Sequence, residues 1–352
     1  MTCRRKESLH CNCTQDRRCE SRFATSASAR WSSRRAVEAT HQRGKRNMKK
    51  ISLGSWAFAF GPYSDNPVPF DKTAKRLAES GYDAIEVCGI QEHVTLDAYP
   101  TTESRQEVKK MLDDLGLERS GYACDQYAFD PTEAENKQKY LEQFSKNLDM
   151  CNDLGIRDIR VDTVADPGKY SDHAEYEAAK GRVAETFHTA AQKAQDAGIR
   201  MHWEFEPGFI FNKPSEIIEL HGKVAHPNFD VMYDTSHAYM SAVAGSRQHG
   251  EKETLDGGIE ELLANLEGKI GAIHLIDSDG SLHDNHTSTH NPFGTGNVDF
   301  KSVAPKLLTV PHVEYWAIDM CFWPGSWELV EASLAYVKDL VAEAEAATAA
   351  AS

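Results

Sequence analysis

No run of apolar residues approaches the roughly 18 that a membrane-crossing helix needs, and the short apolar core of a secretory signal is missing too. Both absences point to a cytoplasmic chain with no membrane partner. Paired cysteines are also lacking. Of eight cysteines, Cys3, Cys11, Cys13 and Cys19 lie near the start, where one C-x-C finds no second pair or histidine set to complete a zinc site. Cys88, Cys124, Cys151 and Cys321 are scattered through apolar runs, as free buried thiols are, so a reduced compartment is expected. No G-x-G-x-x-G follows the first β-rich run, which removes the mark of a dinucleotide-binding fold.

Residues 1–47 have almost no aliphatic residues and no helical or strand period. They are rich in Arg and Ser, and their 12 Lys/Arg against 4 Asp/Glu give a net charge of +8. Such a segment cannot bury enough apolar surface to offset its ordering entropy. It is expected to be a disordered leader, or untranslated sequence ahead of a start at Met48. An organelle presequence fits poorly because of Glu7, Asp16, Glu20 and Glu38. The chain as a whole carries −15, so residues 48–352 carry −23. An acidic body repels phosphates, which argues against a nucleic-acid partner.

From Met48 onward, short β-rich runs alternate with longer helical ones. Strands are expected at 51–58, 84–89, 117–124, 158–164, 200–207, 229–237, 270–277 and 314–322. Helices are expected at Phe70–Ser80, Glu103–Leu115, Glu133–Leu154, Asp172–Ala197, after Pro214, at Gly258–Leu266 and from Trp327 to about Ala346. Gly81, Gly116, Gly155 and Gly198 stop helices just before the next strand. Eight strand–helix units in ~300 residues predict an α/β fold, a single-domain (β/α)8 TIM barrel over residues 48–352. A doubly wound open sheet shares the alternation but lacks its glycine fingerprint.

In a barrel, the strand C-termini share one face. Strand five brings Glu204 and Glu206 there, and i, i+2 spacing points both to one side. Strand six brings Asp234 and His237, strand seven His274 and Asp277, strand eight Asp319. Carboxylates and imidazole converging from four consecutive strands make a mixed O/N site. It suits one divalent ion, Mn²⁺ first, with Mg²⁺, Co²⁺ or Zn²⁺ compatible, since no thiolate is placed to select zinc. Arg160 and Asp162 alternate with apolar neighbours, which favours an ion pair inside the barrel, with a substrate contact second. Trp56, Phe58 and Phe60 near strand one, with Phe322 and Trp323 after strand eight, are placed to wall a pocket. His283, His286 and His290 sit in a long Gly-ended loop, read as a lid, with a second metal site as the alternative. Arg247 is a loop arginine that a phosphate or carboxylate would find.

Several segments resemble the xylose-isomerase-like superfamily of sugar (phosphate) isomerases and epimerases. They are W-E-F-E-P-G around Glu204, D-T-S-H at Asp234–His237, I-H-L-I-D at Ile273–Asp277, the loop Asn291–Phe300, and A-I-D ending at Asp319. The resemblance implies metal ligation by Glu204, Asp234, His274 and Asp319, the last where Glu is commoner. It implies that His237 meets the substrate. Glu206, Asp277, Trp56, Glu86, Arg160, His290 and Trp323 are expected to complete the substrate contacts.

The expected enzyme is therefore a metal-dependent isomerase or epimerase of a small carbohydrate or polyol derivative. It would work through an enediolate, with Glu204 and Asp319 exchanging the proton at carbon. A homo-oligomer is compatible with this reading. A dehydratase or lyase acting on keto-sugars or keto-inositols shares the first step. Ile210 and Gly280 depart from the ketose 3-epimerase pattern. Ser288, Glu86 and Cys124 depart from that of endonuclease-IV-like repair enzymes. A non-catalytic sugar-binding barrel is the remaining alternative.

Overall fold

The computed structural model describes residues 49–351; the expected leader, 1–47, lies outside the described residues. Eight parallel strands close into a barrel. They are β1 (Lys50–Gly54), β2 (Ala84–Cys88), β3 (Glu118–Ala123), β4 (Asp158–Val161), β5 (Arg200–Glu204), β6 (Phe229–Asp234), β7 (Ile270–Leu275) and, last, β10 (Tyr315–Ile318). Each strand pairs with its neighbours in sequence, and β10 closes the ring between β7 and β1. A two-stranded hairpin, β8 (Leu282–His283) with β9 (Thr287–Ser288), projects from the β7–β10 connection. The expected TIM barrel is what the chain forms. No helix among the described residues is long and apolar enough to cross a membrane.

Period-two alternation sorts the strand residues into two populations. Ile85, Val87, Tyr122, Ile159, Val161, Met201, Trp203, Val231, Tyr233, Ile273, Leu275, Trp316 and Ile318 are buried in one apolar core with the surrounding helices. The buried polar set on the same strands, Ser52, Glu86, His202, Glu204, Asp234 and His274, falls on the opposite parity and turns into the barrel. Desolvating those groups is costly unless each is paired, so the lumen has to be a network. At its floor, Asp158 Oδ1 is 2.7 Å from both His202 Nε2 and Arg200 Nη2.

Helix stops behave as the glycines suggest. Gly81 (φ 85°) and Gly155 (φ 75°) take the left-handed conformation after Phe70–Ser80 and Lys137–Leu154, which residues bearing a Cβ avoid. Other boundaries move. The first strand ends at Gly54, and Ser55–Phe58 form a 3-10 turn that bends Trp56 over the barrel mouth. The sixth ends at Asp234, whose side chain caps the helix Thr235–Tyr239 by accepting from the His237 amide at 2.8 Å. A helix over Phe300–Leu308, capped by Asp299 and carrying Pro305, was not expected. The last helix starts at Val330, not Trp327. Cys88, Cys124, Cys151 and Cys321 are free and buried.

Candidate metal centre and substrate cavity

Strand register assembles the site. Asp234 is the direct register partner of His274 across β6 and β7. His274 pairs with Ala317, so Asp319, two residues on, stands one side-chain layer higher and is held there by its amide on Leu275 O at 3.1 Å. Glu204 closes β5 beside them. One ligand atom from each of Glu204, Asp234, His274 and Asp319 lies within 4.8 Å of the others, and all four residues are buried.

Their ligand atoms converge on one another. Glu204 Oε1 and His274 Nδ1 are 3.0 Å apart, yet neither finds an aligned hydrogen-bond partner, and Asp234 Oδ2 has none either. Buried polar atoms are almost always satisfied, and three orphaned ligand atoms facing one point could hold a cation. Three carboxylates in a dry pocket carry the same message: burial, with Asp319 and Glu204 nearby, pushes Asp234 well above the usual carboxylate range. A dication removes that penalty. The residues present fit a divalent metal.

The remaining atoms of the ligands are tied from behind. His274 Nε2 faces Glu86 Oε2 at 2.9 Å, a partner that orients a ligating imidazole and raises its basicity. Asp319 Oδ1 accepts from Trp56 Nε1 at 2.6 Å and from the Cys321 amide at 3.1 Å. Glu204 Oε2 is paired with Arg160 Nε at 2.7 Å. Burial would raise the Glu204 carboxyl, but Arg160 and His274 outweigh it and hold it at about 2. Arg160 also grips Asp162 (3.0 Å), which accepts from Tyr127 OH at 3.0 Å. The interior ion pair expected for Arg160 is thus present, with Glu204 as a second anion.

Above the four donors opens a cavity of about 800 Å³. Its inner end is lined by Trp56, Arg160, Glu204, Glu206, His237, His290 and Asp319. His237 Nδ1 is 2.8 Å from Ser288 Oγ, which leaves Nε2 for the cavity. Burial lowers its pKa to about 3, so the ring is a neutral hydrogen-bonding group. His290, also buried, has neither ring nitrogen partnered, and Nε2 lies 3.6 Å from Asp319 Oδ2. Asp234, His237 and His290 form a second group of three donors that shares Asp234 with the first. Glu206 accepts from Thr287 Oγ1. Burial, with the charge of Asp162 beside it, pushes its carboxyl up to about 8.

A family model for xylose isomerase-like TIM barrels matches residues 74–340. The chain belongs to that family. Among solved structures of the same fold, an L-ribulose 3-epimerase is 16% identical, with 87% of this chain and 98% of that one covered at a TM-score of 0.64. A D-psicose 3-epimerase studied in the presence of D-fructose is 15% identical (83% and 99% covered, TM-score 0.63). The IolI protein with a bound zinc atom is 16% identical (84% and 97%, TM-score 0.62). At these identities the likeness establishes the fold. No curated protein matches the sequence.

Within this family barrel, three residues expected to meet the substrate lie elsewhere. Asp277 does not line the cavity; its carboxylate accepts the amides of Ser278 (2.8 Å), Gly294 (2.9 Å), Gly296 (2.9 Å) and Val298 (3.0 Å). It organises the loop instead. A Cβ on Gly296 would come within 2.4 Å of Asp277 Oδ1, so the close approach requires glycine there. Glu86 sits below the donors, behind His274. Trp323 is half-buried outside the lining, and Phe322 takes its place. The sequence reading also missed Tyr127, Thr287 and Ser288. The hydroxyls of the T-S pair in a His-rich loop were the available signal. Arg247 is spent on Asp166 and on the carbonyls of Pro207 and Gly208.

Proposed function

We propose that the protein is a divalent-metal-dependent isomerase or epimerase of sugars, acting at a carbon next to a carbonyl. The observation that carries this reading is the convergence of unpartnered Glu204 Oε1, Asp234 Oδ2 and His274 Nδ1 beneath the cavity floor. A divalent ion held by these residues and Asp319 would draw electron density from neighbouring hydroxyl and carbonyl oxygens of a sugar and acidify the carbon-bound proton. The protein's own groups then handle that proton. Asp319 stands at the donor set with His290 Nε2 3.6 Å away, an imidazole whose pKa burial lowers, so that it meets Asp319 as a neutral ring. Glu204, its Oε2 held by Arg160 at 2.7 Å, serves the other face. Epimerisation needs groups on both faces, whereas isomerisation by a proton shift needs one. His237, fixed by Ser288, donates to or accepts from a sugar hydroxyl.

The test is proton exchange. With Mn²⁺ added, the wild-type protein should wash deuterium from solvent into the α-carbon of a keto-sugar, with Asp319→Asn and His290→Gln slowed by roughly 10²–10⁴-fold. No exchange into any member of a broad keto-sugar panel, with metal bound, would refute the reading. Should the substrate carry a leaving group β to the carbonyl, the same proton removal ends in elimination, which product analysis distinguishes.

A further inference from the structure

The cavity is larger than a single sugar requires. At about 800 Å³ it lies towards the top of the range for drug-sized ligands, while the metal end offers polar groups for one ring. Its outer part is walled by aromatic pairs from opposite arcs of the barrel. On one side, after β10 and β1, Phe322 stacks on His283 (ring centroids 4.5 Å) and on Phe60 (6.3 Å). On the other, after β3 and β5, Tyr127 packs on Phe209 (5.8 Å), which meets His286 edge-on. Tyr127 is 38% exposed, one of two large apolar side chains left open among the described residues. Flat rings at a cleft mouth suit a second flat ring, such as a sugar's C–H face or an arene.

Charge narrows the ligand further. Asp125, Glu204, Glu206, Asp284 and Asp319 line the cavity. Arg160 is the one Arg or Lys among the described lining residues, and Asp162 and Glu204 already neutralise it. Away from the metal end, a phosphate or carboxylate would find no unpaired Arg or Lys. The geometry points to a substrate that is an uncharged sugar bearing a ring-sized glycosidic substituent, with the substituent held between the Phe60–Phe322 and Tyr127–Phe209 walls. This rests on the sugar reading of the metal end and adds a second subsite to it.

Calorimetry on the full-length, Mn²⁺-loaded protein tests it with five sugars: D-fructose, D-fructose 6-phosphate, the glucosyl-fructose isomaltulose, and phenyl β-D-glucoside against D-glucose. At least one ring-bearing probe should bind about tenfold more tightly than its parent sugar, a size expected of one or two aromatic contacts. The 6-phosphate should bind no better than fructose. Phe60→Ala should remove most of the gain. Equal affinity for parent and substituted sugars, or tightest binding by the phosphate, overturns the second subsite while leaving the metal-end reading intact. Failure of all probes to bind the Mn²⁺-loaded protein overturns both.

Discussion

Replacing Asp277 by Asn should detach the loop that roofs the site while leaving the barrel folded. The carboxylate accepts four backbone amides, Ser278 and Val298 at Oδ1 and Gly294 and Gly296 at Oδ2. An amide side chain keeps one acceptor oxygen and aims an NH₂ at the other pair of N–H groups. Two bonds to a charged acceptor are lost, each worth about 1.5–3 kcal/mol, and water entering the opened turn returns part of that. A net local cost of roughly 2–4 kcal/mol follows, or about a 30- to 1,000-fold rise in loop opening. Hydrogen exchange read by mass spectrometry on the sugar-free protein should show it in residues 278–298, with the peptides of β2 to β6 unchanged. His290 and the Ser288–His237 contact ride on this loop, so turnover should fall as well. Unchanged exchange in 278–298, or equal loosening of every strand, would refute the assignment of Asp277 to the loop.

Asp234→Asn and His274→Ala should each abolish stabilisation by Mn²⁺, which in the wild type should approach about 2.7 kcal/mol at a hundredfold excess over Kd; full stabilisation of either variant means the ligands are misassigned. Glu86→Ala should weaken metal affinity by 10–100-fold through His274, read by competition with a chelator, without touching the cavity. Trp56→Phe should lower turnover more than sugar affinity, because it removes one of the two hydrogen bonds that hold Asp319 Oδ1; a pure affinity change would contradict this. His93 is kept neutral, its pKa lowered by burial from 6.5, so the unfolded chain binds the extra proton first. Its share of stability is present above pH 6.5 and is lost as the pH falls below. His93→Gln should therefore flatten the urea midpoint against pH on that acid limb.

The barrel and the polar strand ends were legible because both follow from periodicity, while the resemblance to the family selected four of those ends. Glu204 and Asp234 end parallel strands, His274 is one residue short of its strand's end and Asp319 directly follows one, and the fold alone brings strand ends together. What escaped depended on non-local backbone. Asp277 stands at a strand end like a ligand, but its partners are amides contributed when Gly294–Val298 folds back. Glu86 looks like a substrate contact until His274, 188 residues later, is found against it. Ser55–Phe58 continues the apolar alternation of β1 and still turns, with Ser55 Oγ accepting the Cys88 amide of β2 at 2.9 Å in place of a ladder bond. Pro305 hid the helix Phe300–Leu308, although proline inside a helix costs about 3 kcal/mol; its buried face, Phe300, Val303, Ala304 and Leu307, outweighs that.

The Glu86–His274 contact joins β2 to β7, strands that share no ladder and are separated in the ring by β1 and β10. It works as a strut across the lumen, so the cross-section of the barrel sets the angle of the His274 ring. For an ion held as proposed, any change that flattens the ring, even a repacked helix behind β2 on the outer surface, would be felt as altered ion affinity. The site would then be tuned, or spoiled, from residues that never approach it, and ion affinity would become a gauge of barrel roundness.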